Sequence, residues 1–247
     1  MRSPLKPPRS ATGLRPLLAL AESRTLLFVL LTATALWSFV GLAGEVSEGE
    51  THAFDETLLL AFRSSTDLSD PIGPPVVETA VRDITALGGV TVLTFVTLSV
   101  MGALALRRHG RSALFLGVAV AGGQALSHLS KAYFDRPRPD LVSHGTEYVS
   151  TSFPSGHSVM AAVTWLTLAV MLARAEPKRR MKAYWIVLAT LVTSAVGVSR
   201  VYLGVHWPSD VLAGWTLGAG WAFLCLLVAR WLDRKGSIEP ERDEGNG

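Results

Sequence analysis

Six stretches of the chain are nearly free of charge: Thr25 to Ala43, Ala86 to Leu106, Ala113 to Leu129, Val159 to Ala173, Tyr184 to Val201 and Val211 to Leu232. A helix rises about 1.5 Å per residue, so about 20 apolar residues cross a hydrocarbon layer about 30 Å thick. Most of the six reach that length alone, and the shorter ones do so with flanking polar residues. Lipid offers a backbone no hydrogen-bond partners, which leaves helices or closed barrels, and the alternation of a barrel strand is absent. The pattern therefore predicts an all-α, six-transmembrane-helix bundle over residues 25–234. Between the first two stretches, residues 45–85 contain the apolar run DETLLLAF followed by the Pro-Gly break PIGPP. This predicts a short helix lying in the membrane interface, there to admit lipid or, as the simpler reading, to cover the bundle. Residues 1–24, rich in Pro, Arg and Ser, and residues 235–247 read as disordered tails.

Charge assigns the two sides. The N-terminal tail carries Arg2, Lys6, Arg9, Arg15 and Arg24 against Glu22 alone, and basic residues return after the second stretch (Arg107, Arg108, Arg111), the fourth (Arg174, Lys178, Arg179, Arg180, Lys182) and the sixth (Arg230, Arg234, Lys235). The first loop is acidic. The positive-inside rule places both termini and the second and fourth loops in the cytoplasm, and loops one, three and five outside. The first stretch, at about 20 residues, exceeds the 7 to 15 of a signal-peptide core and reads as an uncleaved anchor. Of 247 residues, 49% are hydrophobic and 17% charged, as a multi-pass cell-membrane protein requires. The net charge of +3 is spread by loop rather than gathered into a stripe, which argues against a nucleic-acid partner. The single Cys225 excludes an intrachain disulfide and reads as packing. The sequence carries no signal of oligomeric state.

Three short segments at span ends carry the chemistry: Lys131 to Pro139 (KAYFDRPRP), Pro154 to His157 (PSGH) and Ser199 to Asp210 (SRVYLGVHWPSD). Gln124, His128 and Lys131 follow i, i+4, i+7, which puts them on one helical face and aims Lys131 at the cavity that Arg138 enters. Arg136 reads as exposed or as support behind it. The Pro-Ser-Gly turn opening the fourth span leaves N–H groups unpaired and, through Gly156, lets backbone approach an anion. Ser155 adds a hydroxyl, and His157 lies within one turn. His206 and Asp210 are four apart, so the carboxylate can take one ring N–H and leave the other nitrogen as a lone-pair nucleophile. Taken singly, each segment reads equally well as interfacial anchors or helix caps. Loop parity sets them apart: all three emerge in the third and fifth loops, on the outer face, as one active site requires.

Lys131, six residues, then Arg138-Pro139; Pro154-Ser155-Gly156-His157; Ser199-Arg200, five residues, His206, three residues, Asp210: these eleven positions resemble the complete signature of the type 2 phosphatidic acid phosphatase superfamily. That superfamily includes membrane lipid phosphatases and is related to vanadium haloperoxidases. The resemblance covers roughly Leu87 to Leu232, and no signature position departs from it. It implies a phosphatase that needs no metal or other cofactor and works through a phosphohistidine. His206 would be the nucleophile, Asp210 its orienting partner and His157 the acid that protonates the leaving oxygen. Lys131, Arg138, Ser155, Gly156 and Arg200 would bind the phosphoryl oxygens.

The expected activity is hydrolysis of a lipid phosphate or diphosphate at the outer membrane surface, with undecaprenyl diphosphate the leading substrate. Phosphatidylglycerophosphate, phosphatidic acid and diacylglycerol pyrophosphate are the alternatives. Vanadate-dependent halide oxidation is disfavoured by the transmembrane core. A non-catalytic transporter or lipid-binding protein is disfavoured because binding alone does not require both a nucleophile and an acid.

Overall fold

The computed structural model describes residues 14–140 and 151–234, and side chains within 25–140 and 151–232. Among these residues the architecture is all-helical: α1 Leu14–Glu48, α2 His52–Leu60, α3 Pro75–Ala86, α4 Val90–Leu106, α5 Gly110–Tyr133, α6 Gly156–Ala175, α7 Arg179–Tyr202 and α8 Pro208–Arg234. Five of them, α1, α5, α6, α7 and α8, are long and apolar enough to cross a membrane. The pair α3 and α4 together passes the same test but is bent by 46°.

Two outcomes differ from expectation at the N-terminal side. Helix α1 already begins at Leu14, so residues 14–24, expected within a disordered tail, are helical. The leucines of LRPLLALAES favour it, and Pro16 falls in the first turn, where a missing N–H costs nothing. The rest of that tail and the tail from 235 lie outside the described residues. Secondly, the outer segment holds two helices rather than one. The charges of Glu78, Arg82 and Asp83 disguise α3 as loop, yet Glu78 and Arg82 pair at 2.6 Å one turn apart and support it. Helix α4 alone, at 17 residues, extends only about 25 Å, and α3 continues it across the Leu87-Gly88-Gly89 bend.

Helix α6 is the axis of the bundle, with 61% of its apolar window buried against 11% for α1. It is flanked by α5, α7 and α8, while α1 packs along α8. Small residues set the closeness of this core. A Cβ on Gly214 would lie 2.7 Å from that of Ser158, and one on Gly218 would lie 2.8 Å from that of Ala162. The Gly214-x-x-x-Gly218 face of α8 thus rests directly on α6, the arrangement small-residue stripes permit where lipid supplies no hydrophobic drive. This contact carries Ser155, at the head of α6, against the head of α8, where the Ser155 N–H donates to the Asp210 carbonyl at 3.0 Å.

At the same end, Phe153 is fully buried, stacked on Phe39 of α1 at 6.1 Å and edge-on to Phe134 at 5.0 Å. That aromatic cluster fixes the segment entering α6. Across the bundle, Arg63 is 5% exposed and donates to the Tyr202 carbonyl at 2.6 Å, placing a cation at the carboxyl end of α7. The Tyr202 hydroxyl in turn donates to the Ile72 carbonyl at 2.7 Å, tying the segment between α2 and α3 to the same helix end.

Gly218→Val is expected to force α6 and α8 apart at a cost of about 1–3 kcal/mol, typical of overpacking. A lowered melting temperature of the detergent-solubilised protein, together with loss of activity, checks this. Ala219→Val, next to it and only partly buried, should be milder.

Candidate active site

The three polar segments meet at one end of the bundle, where α6 and α8 begin and α5 and α7 end. Asp210, in the first turn of α8, is fully buried. Its Oδ1 accepts from Arg136 Nη1 at 2.7 Å, and its Oδ2 accepts from the Trp207 N–H at 3.0 Å and from the Ser152 hydroxyl in a short hydrogen bond. His206, 2% exposed, places Nδ1 3.4 Å from the same Oδ2 and 3.4 Å from Ser152 Oγ. Its other nitrogen, Nε2, faces Arg138 Nη1 at 3.3 Å, and that nitrogen also donates to the Val205 carbonyl at 2.7 Å. One face of the imidazole is therefore held by a carboxylate and a hydroxyl, and the other is presented to a cation.

The remaining signature residues close around it. Lys131 Nζ donates to the Thr151 carbonyl at 2.9 Å, and a Cβ on Gly156 would lie 3.5 Å from Lys131 Cε, so the lysine lies beside the start of α6. Ser155 is fully buried and its Oγ accepts from Ser158 Oγ at 3.0 Å. Arg200, 3% exposed on the last turn of α7, donates to Thr85 Oγ1 of α3 at 3.1 Å. His157 is half-buried in the first turn of α6, against the bend between α3 and α4: a Cβ on Gly88 would come within 3.1 Å of its carbonyl, and one on Gly89 within 3.8 Å of its Nε2. The bend is pinned from α6 as well, since Trp165 Nε1 donates to the Leu87 carbonyl at 3.0 Å.

Electrostatically the site is cationic. Burial first, then the charges of Arg200, Arg138 and Lys131, hold the protonation of His206 well below the ordinary histidine range. Both causes favour the neutral imidazole.

The polar stripe read along the third span divides differently. The inward face of α5 is Leu116, Ala119, Gly123 and Ser127, which continues one turn later to Lys131. Gln124 and His128 bond each other at 2.8 Å on the outer side, with His128 exposed. Two supporting residues had no recognisable spacing: Ser152, on Asp210, and Asp55, fully buried on α2; Arg136, read as exposed or as support, is a support, its side chain 17% exposed and paired with Asp210. The clue to Arg136 was its place inside DRPRPD, where two prolines stiffen the backbone.

The PAP2 superfamily matches residues 112–234. Phosphatidylglycerophosphatase B of Bacillus subtilis is 32% identical over 167 residues, 66% of this chain and 79% of its own length. The chain belongs to the PAP2 superfamily. It is similar over shorter stretches to the undecaprenyl-diphosphatase of Sulfolobus acidocaldarius, 37% identical over 40% of each chain. The crystal structure of the transmembrane PAP2-type phosphatidylglycerolphosphate phosphatase from Bacillus subtilis superposes with a TM-score of 0.70 at 29% identity, covering 83% of this chain and 96% of that one. LpxE of Aquifex aeolicus shares the fold, with a TM-score of 0.52 at 24% identity. As a PAP2 member with these helices, the chain is a multi-pass membrane lipid phosphatase.

Because folded His206 resists protonation while the unfolded imidazole accepts a proton near pH 6.5, the unfolded state binds more protons at low pH. Stability should be fully present above that value and fall as pH drops below it, by up to about 1.4 kcal/mol per pH unit from this one group. His206→Gln should flatten the acid side of a melting-temperature profile measured between pH 7 and pH 5; an unchanged slope would contradict a neutral, buried His206.

Proposed function

We propose that the protein removes a phosphoryl group from a lipid phosphate or diphosphate at the outer membrane surface, with undecaprenyl diphosphate as the leading substrate. The observation that carries this reading is the two-sided setting of His206: Nδ1 toward Asp210 and Ser152, Nε2 toward Arg138 in a site ringed by Lys131 and Arg200. A neutral imidazole oriented by a carboxylate and aimed into a cationic pocket is suited to attack phosphorus.

In the step proposed, His206 Nε2 forms a bond to phosphorus as the bond to the leaving oxygen breaks, and His157 gives that oxygen its proton. The phosphohistidine is then attacked by water, whose proton returns to His157, releasing inorganic phosphate and free His206. Lys131, Arg138, Arg200, the Ser155 hydroxyl and the N–H of Gly156 at the start of α6 bind the equatorial oxygens. Fixed cations take the charge-stabilising part that a metal plays elsewhere. Among the described residues no group of three or more His, Cys, Asp or Glu side chains is arranged to hold a metal ion.

A lipid substrate agrees with an apolar cavity of about 180 Å³ between α3 and α7, lined by Val81, Ile84, Ala195, Val198, Ser199 and Tyr202 beside Arg200. The side of the membrane follows from loop charge: with α3 and α4 taken as one span, six spans put both termini in the cytoplasm and the site outside. Among relatives named for different lipids, phosphatidylglycerophosphate is the alternative substrate.

The test is phosphate release by the purified protein from undecaprenyl diphosphate, phosphatidylglycerophosphate and phosphatidic acid. His206→Ala should abolish turnover on whichever lipid is used; wild-type-like release by that variant sinks the mechanism. Arg200→Ala and Arg138→Ala should each lower the rate about 10² to 10³-fold, as loss of a preorganised donor does. EDTA should leave the rate unchanged, and a metal requirement restored by added Mg²⁺ would refute the fixed-cation account.

A further inference from the structure

Helix α2 inverts the usual logic of an interfacial helix. Its apolar residues Phe54, Leu58 and Leu60 are 45%, 40% and 41% exposed, whereas its one fully buried polar side chain is the carboxylate Asp55. Thr51, Asp55, Leu59 and Arg63, spaced by four, form the inward stripe, and Leu59 packs with Val201 at the end of α7 and Val211 at the start of α8, the two helices flanking His206.

A buried carboxylate is costly unless it is charge-paired and its lone pairs are occupied. Asp55 satisfies both conditions with residues next to the site. Its Oδ1 accepts the Ser209 N–H at 2.8 Å; its Oδ2 accepts the Ser209 hydroxyl at 2.7 Å and Arg136 Nη2 at 2.7 Å. The other terminal nitrogen of the same guanidinium, Nη1, donates to Asp210 Oδ1 and to Ser209 Oγ, each at 2.7 Å. Trp207 lies under that guanidinium at 5.7 Å. Arg136 is thus a planar bridge between two buried carboxylates, one on α2 and one on α8. Asp210 is held by a guanidinium that Asp55 holds from the far side.

Building on the phosphatase reading above, we propose that Asp55 is a positioning residue: α2 sets the orientation of His206 through the chain Asp55, Arg136, Asp210. Ser209, bound by Asp55 through both backbone and side chain, fixes the first turn of α8 in the same stroke. Helix α2 is then part of the apparatus that aims the nucleophile and not a cover over the bundle. Neither Asp55 nor Arg136 touches the phosphoryl pocket, so their loss should act on turnover and leave substrate binding nearly intact.

The experiment measures kcat and KM of the full-length protein in detergent on the lipid from the panel above that wild type hydrolyses fastest. Asp55→Asn should lower kcat about 10- to 100-fold, the loss typical when an orienting outer partner is removed, with KM nearly unchanged. Arg136→Lys, which keeps the charge but loses the planar bridge, should fall between wild type and Arg136→Ala. The decisive measurement is coupling. If Asp55 acts through Asp210, then Asp55→Asn should cost almost nothing further in an Asp210→Asn background, because residues acting as a unit are not additive. Equal losses in both backgrounds would mark a generally structural role and overturn the assignment, as would an Asp55→Asn enzyme with wild-type kcat. Should Asp55→Asn elute as aggregate, the same cycle run with Arg136→Lys and Asp210→Asn decides it on the same criterion. A wild type active on lipid and dependent on His206, but indifferent to Asp55 and Arg136, overturns only this inference. A wild type that releases phosphate from none of the lipids overturns the phosphatase reading and this one with it.

Discussion

A carboxylate with no exposed surface must be compensated from every side, and Asp210 is compensated by nearly every segment that builds the site. Arg136, from the segment after α5, pairs with it; Ser152, from the segment before α6, donates to it; its own helix turn closes on it through the Trp207 N–H; and its carbonyl takes the N–H of Ser155. The bonds from Arg136, Ser152 and Trp207 satisfy the desolvated carboxylate, and the one from Ser155 to the main-chain carbonyl fixes the head of α6 against α8. The site is held together by the need to satisfy one buried charge, which is why segments 74 residues apart in sequence, Arg136 and Asp210, share a bond of 2.7 Å.

That charge also balances the site's excess of cations. Lys131, Arg138 and Arg200 converge on His206, and three like charges in a largely desolvated space repel one another until an anion enters. The cost is spread over rigid elements. Arg138 is tethered to Val205, Lys131 to Thr151 and Arg200 to Thr85, so the cations point inward before substrate arrives. Preorganised charge of this kind does not have to reorient during the reaction, which is where its catalytic advantage lies.

Much of this was legible in the sequence. Apolar runs gave the spans, since a bilayer tolerates little else, and charged or polar residues at span ends drew attention to Lys131, Arg138, Ser155, His157, Arg200, His206 and Asp210. What could not be read was anything that depends on which face of a helix turns inward. The stripe Gln124, His128, Lys131 has helical spacing, but α5 buries the face of Ser127 instead, so only Lys131 reaches the site. Helix α3 carries too many charges to read as part of a span and declares itself only through its bend against His157. Asp55 looked like a solvated acid in an acidic loop. Nothing local distinguishes it from Glu50 or Glu56, and its burial arises from Arg136 and Ser209, residues more than 80 positions away.

The division between what the family signature carries and what supports it has a consequence for how the enzyme is built. The superfamily match begins at residue 112, so it contains His206, Asp210 and the cations Lys131, Arg138 and Arg200. Three groups that reach the site from outside that region are Asp55 on Arg136, Arg63 on the end of α7, and Thr85 on Arg200. All three lie in the segment joining α1 to α4, and each addresses a different part of the site. A core that supplies reactive groups, steadied by an outer segment that supplies none, separates two demands that would conflict in one element. The segment joining α1 to α4 also carries the exposed apolar residues Phe54, Leu58 and Leu60 of α2 and, through α3, one wall of the apolar cavity against α7. Its buried carboxylate Asp55 is joined to Asp210 through the single guanidinium of Arg136, so this segment and the head of α8 share one ion-pair bridge.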